Sequence, residues 1–269
     1  MQSLASVAMT VDRKIVLVTG AAAGIGLEAV KALLSSEHAS YEILLSARKL
    51  TQAQAASEQV AAGYPSSSSG VVPLELDVES DESIEAAANH VKANYGRLDA
   101  LINNAVAGEQ SLRDGWKKAW DVNVTGAHIT TNVFVPLLLE SNDPRLLFIT
   151  SSTSTLTGTE NGDLPVNKPS NKGWPKTAMR TMVPSYRCSK TGLNMVMREW
   201  HRMLRDDGVK VFSISPGFLA TKLGGDQEAN KNMGAGNPAL GGTLIKDVVE
   251  GQKDTNVGKI ISQTGIQPW

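Results

Sequence analysis

Cysteine is almost missing from this 269-residue chain. Cys188 stands alone, so no intramolecular disulfide can form and a reducing, cytoplasmic setting is the simpler expectation. Histidine is scarce as well. His38, His90, His128 and His201 are scattered without metal-ligand spacing to Cys or acidic residues, so no metal site is expected. Neither sign of charge dominates. Lys and Arg number 26 against 27 Asp and Glu, which gives no electrostatic case for nucleic acid or an anionic membrane. No apolar run reaches the roughly 18 residues of a membrane span. The opening MQSLASVAMTVDRK lacks the basic start and long apolar stretch of a secretory leader. What is present, 41% hydrophobic and 20% charged residues, is the composition of a globular protein rather than a disordered one.

Short apolar runs alternate with longer segments of helical period. KIVLVT (14–19), EILLSA (42–47), VVPLEL (71–76), ALIN (100–103), RLLFIT (145–150), VKVFSIS (209–215) and GKIIS (258–262) read as strands. Helices are predicted from about Gly24 to Ser36, over LTQAQAASEQVAAG, and near 80–95, 115–140 and 186–206. Strands rich in Val, Ile and Leu that alternate with helices imply a parallel sheet covered on both faces. The expected fold is therefore α/β, a Rossmann-type doubly wound sheet in a single domain over 1–269, with 1–13 as an N-terminal tail. Two segments, 156–184 and 220–242, read as neither element. Each follows a strand, which places both at the carboxyl edge of the sheet, where such folds bind ligands.

TGAAAGIG (19–26) lies between the first strand and the first helix. Gly20 permits a tight turn, Gly24 a close approach to a pyrophosphate, and Gly26 close packing of helix on strand; the helix N-terminus adds unpaired N–H groups. Gly20, Ala22, Gly24, Ile25 and Gly26 are thus candidate dinucleotide contacts. NAD binders carry an acidic residue at the end of the second strand. Here Ser46, Ala47 and Arg48 occupy that place, and a guanidinium can hold a 2′-phosphate through its planar fork. NADP is the expected cofactor.

Seven motifs in order, TGAAAGIG (19–26), LDV (76–78), NNA (103–105), NVTG (123–126), TSS (150–152), YRCSK (186–190) and SPGFLAT (215–221), resemble the short-chain dehydrogenase/reductase family over about residues 14–262. The resemblance implies that Asp77 and the Val78 backbone contact adenine and that Asn104 lies along the ribose. It implies that Leu219 and Thr221 hold the carboxamide, and that Asn123, Ser152, Tyr186 and Lys190 are catalytic. Ser151 and Ser154 are the neighbours that could take the place of Ser152. Tyr186 and Lys190, at (i, i+4), project from one helix face and also reach the cofactor. The ammonium favours phenolate, Tyr186 protonates the carbonyl oxygen during reduction, and Ser152 steadies that oxygen. Lys190 also holds the ribose, while Asn123 orders a water behind it. Cys188, on another face of the helix, reads as packing.

Two departures accompany the resemblance. Val106 replaces the usual Gly after Asn-Asn-Ala, and 156–184 is an insertion of about twenty residues typical of the carbonyl-reductase-like branch. The expected function is NADPH-dependent reduction of a ketone or aldehyde. The alternatives are an alcohol dehydrogenase, a secondary-metabolite ketoreductase and a non-catalytic NADP-binding regulator. The partner is a small carbonyl or alcohol substrate. The insertion, with Trp174 packing on an apolar face, is expected to cover the family's usual dimer surface and leave a monomer.

Overall fold

The computed structural model describes residues 13–107, 112–174, 184–223 and 225–269. The apolar runs form β1 (Lys14–Val18), β2 (Tyr41–Ala47), β3 (Gly70–Glu75), β4 (Ala100–Asn103), β5 (Arg145–Ile149), β6 (Lys210–Ser215) and β7 (Ile260–Ser262). They lie in the order β3-β2-β1-β4-β5-β6-β7, all parallel, and β8 (Gly265–Gln267) adds antiparallel to β7. The chain reverses its direction of travel between β1 and β4, the crevice where open α/β sheets take ligands. Pro73 sits in β3, an edge strand paired only with β2, where a missing N–H is tolerated.

Alternation along the strands feeds two cores. Leu17, Leu44, Leu101, Leu146 and Phe148 face one side, with α3 (Asp81–Tyr95), α5 (Ala127–Leu138) and α6 (Pro184–Leu204). Val16, Val18, Ile43, Leu45, Leu147 and Ile149 face the other, with α1 (Gly24–Leu34), α2 (Leu50–Ala62) and α8 (Ala239–Val249). Each fully buried Val, Leu or Ile contributes roughly 1.5–3 kcal/mol. Ser80 caps α3 by accepting from the Ser83 N–H, and Gly96 ends it in the left-handed region at φ 72°.

Three segments depart from the sequence reading. The helix expected near 115–140 is divided into α4 (Leu112–Trp120), a π-helical turn at Asp121–Gly126, and α5. The segment 220–242 is not featureless: α7 (Gln227–Asn232) lies within it, and α8 begins at Ala239. A Cβ on Gly242 would lie 2.3 Å from the Glu28 carbonyl oxygen, so this glycine lets α8 press against α1. The part of the insertion that is described forms short 3₁₀ turns at Thr157–Glu160 and Pro165–Asn167. Trp174 is 79% exposed rather than packed on a helix, and Met195 and Met203 of α6 are also exposed. The stated ground for a monomer is therefore absent there. The remainder of the 156–184 segment, residues 175–183, lies outside the described residues.

Candidate active site

The turn after β1 is shaped by three glycines for three different reasons. Gly20 (φ 63°) and Gly24 (φ 60°) occupy the left-handed region that favours glycine. A Cβ on Gly20 would also meet the Ala105 Cα at 2.9 Å. On Gly26 a Cβ would meet the Asn104 Nδ2 at 2.5 Å, and on Gly24 it would meet nothing within 4 Å. Gly24 thus borders open space at the head of α1. The helix start there has no side-chain cap hydrogen bond and no acid in its first turn. Ala22 and Ile25 lie on either side of this N-terminus, both half-buried. Unpaired N–H groups facing open space are what a phosphate group requires.

Asn104 is anchored to the glycine turn. Its Nδ2 donates to the Thr19 and Gly20 carbonyl oxygens at 2.8 and 3.1 Å, and its N–H donates to the Thr19 Oγ1 at 2.9 Å. It braces the glycine turn from β4. At the end of β2, Arg48 is exposed and makes no hydrogen bond or ion pair with a described residue. Asp77 is half-buried, its Oδ1 accepting from the Glu79 N–H, and Val78 is buried beside Gly126. Leu219 is bridged to Gly236, and the Thr221 carbonyl accepts from the buried Asn230, which holds that loop in shape. Val106 is partly exposed, and no described non-glycine residue has a positive φ, so the replacement of Gly causes no backbone strain.

Across the crevice, α6 carries Tyr186 and Lys190 on one face. The Lys190 Nζ lies 5.8 Å from the centre of the Tyr186 ring. Lys190 is 2% exposed and donates to the Ile149 carbonyl oxygen at 2.8 Å. Burial pushes its pKa down to about 7 from the ordinary 10.5. The sequence predicts that this ammonium lowers the phenol's pKa. Instead burial raises the Tyr186 pKa, with a hydrogen bond from Ser151 pulling the other way. The desolvation of a half-buried phenol outweighs its neighbours, so the resting site holds Tyr186 protonated.

The opposing influence on Tyr186 comes from Ser151, whereas the sequence reading places the catalytic serine at Ser152. Ser151 is extended (φ −147°, ψ 149°), and its Oγ accepts from the Thr153 N–H at 3.2 Å while facing Tyr186. Ser152 begins the following 3₁₀ turn, Ser152–Ser154, and is exposed. The structure brings Ser151, not Ser152, to Tyr186. Ser154 is buried and receives the Asn194 Nδ2 at 3.0 Å, a structural contact. Asn123 lies in the π-helical turn, 1% exposed, with its Nδ2 donating to the Ser189 Oγ at 2.9 Å. Its Oδ1 is buried without a protein partner, as suits a group that binds an ordered water. Cys188 is exposed, so its expected packing role does not hold. Among the described residues no cluster of His, Cys, Asp or Glu could hold a metal ion.

The profile of the short chain dehydrogenase family matches residues 14–162 and 170–232. The chain belongs to that family. It is accordingly an oxidoreductase of a family that uses a nicotinamide cofactor. It is 44% identical over 264 residues to the short-chain dehydrogenase/reductase tropE of Talaromyces stipitatus, covering 96% of this chain and 98% of that one. It is 41% identical over 273 residues to the short-chain dehydrogenase/reductase eupG of a Phoma species, covering 95% and 97%. The fold resembles the NADPH-bound carbonyl reductase from chicken fatty liver, with a TM-score of 0.75 at 24% identity over 96% of this chain and 99% of that one. As a short-chain dehydrogenase it has no described helix long and apolar enough to cross a membrane.

Proposed function

We propose that this short-chain dehydrogenase is an NADPH-dependent reductase of a ketone or aldehyde, with Tyr186 as proton donor and Ser151 as the partner of the carbonyl oxygen. The observation that carries the reading is the placement of the buried Lys190 Nζ 5.8 Å from the centre of the Tyr186 ring on one face of α6, with the Ser151 hydroxyl acting on the same phenol. The residues present fit a dinucleotide. The bare N-terminus of α1 and the open space at Gly24 suit its pyrophosphate. Arg48, unengaged by described residues, suits a 2′-phosphate, and Asp77 with Val78 suits the adenine. Asn104 serves this end by holding the turn, while Leu219 and Thr221 edge the nicotinamide end. When bound, the reduced nicotinamide supplies the hydride.

The rest is the work of side chains. Tyr186, kept neutral by burial, gives its proton to the carbonyl oxygen as the carbon gains hydride. Ser151 donates to the same oxygen as negative charge develops there; such contacts are worth roughly 2.7–4 kcal/mol in acyl-transfer enzymes. The phenolate left behind is stabilised by the Lys190 ammonium, 5.8 Å from the ring centre. The orphaned Oδ1 of Asn123 offers a seat for a water that returns protons toward this pair.

A panel of ketones and aldehydes, scored by loss of NADPH absorbance, tests the reading. At least one carbonyl should be reduced by the native protein, and Tyr186→Phe should abolish turnover while retaining the cofactor. Full activity in the Phe variant, or no reduction across the panel, would refute it.

A further inference from the structure

We infer that Arg187 is a positioning residue: it fixes Ser151 against Tyr186 and holds 156–167 as a fixed wall of the cleft. Its guanidinium fans three donors onto two segments. The Nε donates to the Thr153 carbonyl at 3.1 Å, the Nη1 to the Val166 carbonyl at 3.2 Å, and the Nη2 to the Asn167 Oδ1 at 3.0 Å. Asn167 passes the connection on, its Nδ2 donating to the Gly158 and Asn161 carbonyls at 2.7 and 3.0 Å. Three successive 3₁₀ turns, 152–154, 157–160 and 165–167, thus hang from one side chain on the first turn of α6.

The contacts close a circuit around the site. Tyr186 is bonded covalently to Arg187, Arg187 holds Thr153, the Thr153 N–H holds the Ser151 Oγ, and Ser151 returns to Tyr186. Its fourth side is braced from the end of the sheet. The Gln267 Nε2 on β8 donates to the Ser151 carbonyl at 3.1 Å, and the Trp269 main-chain oxygen accepts from the Thr155 Oγ1 and the Thr157 N–H.

Apolar burial does little for this segment, because Leu156 and Leu164 are both exposed. Its order therefore depends on hydrogen bonds, and an element of that kind opens easily when they are removed. Among the described residues no carboxylate pairs with Arg187, so the guanidinium serves as a rigid fork rather than as half of an ion pair. A lysine, with a single point of donation, cannot span the same three acceptors.

The part of the inference that concerns turnover rests on the proposed roles of Ser151 and Tyr186; the part that concerns order does not. Hydrogen–deuterium exchange on the full chain tests the second part, comparing the native protein with Arg187→Ala, Arg187→Lys and Asn167→Ala. Amides of 153–167 should exchange roughly tenfold faster or more in Arg187→Ala, and Lys should fail to restore them, while the sheet stays protected. Asn167→Ala should loosen 157–167 alone, and it carries the test if the Ala variant at 187 does not fold. Unchanged protection of these amides would overturn the inference. On the carbonyl found by the panel, kcat of Arg187→Ala should fall at least tenfold with NADPH affinity within about twofold of native. Loosened amides with native kcat would overturn the catalytic link alone. Turnover by Tyr186→Phe would instead overturn the proton-donor reading and leave the exchange result standing.

Discussion

Replacing Lys190 by Met should make the protein more stable at mildly acidic pH while destroying its activity. Lys190 is buried, and its ammonium donates to the Ile149 carbonyl oxygen without a carboxylate partner among the described residues. Its pKa is about 7 in the fold, against the ordinary 10.5 in the unfolded chain. Between those values the unfolded chain binds the extra proton, so stability rises with pH across the window; below about 7 both states are protonated and the full penalty is felt. The penalty is roughly 4–5 kcal/mol at about 1.4 kcal/mol per tenfold change in proton affinity. Met has nearly the same length and no charge, but it abandons the carbonyl of Ile149, a loss of roughly 1–3 kcal/mol. With about 2 kcal/mol for the lost contact, the variant should therefore gain about 2.5 kcal/mol at pH ~6 and lose about 2 kcal/mol at pH ~10.5, where the native amine is neutral. Urea denaturation of the cofactor-free protein at several pH values reads the difference directly. A Met variant equally destabilised at both ends of the range would show that the ammonium is already compensated, and the argument from burial would fail.

Three further substitutions separate expectations that the sequence leaves together. Ser151→Ala should lower kcat by roughly 10²–10³, as loss of an oxyanion donor does, whereas Ser152→Ala should leave it within about twofold; the reverse ranking in steady-state kinetics would return the role to Ser152. Arg48→Ala should weaken NADPH by roughly 1.5–3 kcal/mol and leave NADH unchanged, as measured by fluorescence titration, because only the 2′-phosphate loses a charge-assisted contact. Equal losses for the two would mean that Arg48 does not read the phosphate.

Seven strands were legible because their Val, Ile and Leu runs are contiguous, as full burial on both faces demands. The glycine turn was legible because steric requirements there leave no other residue type at Gly20 or Gly26. Other features depend on information that residue type does not carry. Ser151 and Ser152 are chemically identical; extended backbone at the first and a 3₁₀ turn beginning at the second decide which one meets Tyr186. Helix α8 was hidden by Gly241 and Gly242, poor helix formers whose value is the close approach to α1. The π-helical turn at Asn123 inserts a wider turn into an otherwise regular apolar period, which the pattern conceals. Asn104 carries a motif suggesting cofactor contact, and its amide also donates to the turn carbonyls, a contact that the parallel pairing of β1 with β4 creates and residue type alone does not reveal.

The ends of the sheet determine how this protein meets other copies of its own backbone. A parallel sheet with open margins is a template onto which a stray strand can add. At one margin, Pro73 interrupts the row of donors along β3. At the other, the antiparallel β8 covers β7 and is itself only three residues long, too short to seed an extended ladder. The hairpin that steadies the Ser151 turn through Gln267 therefore also guards against edge-to-edge aggregation, and its removal would leave β7 open to strand addition.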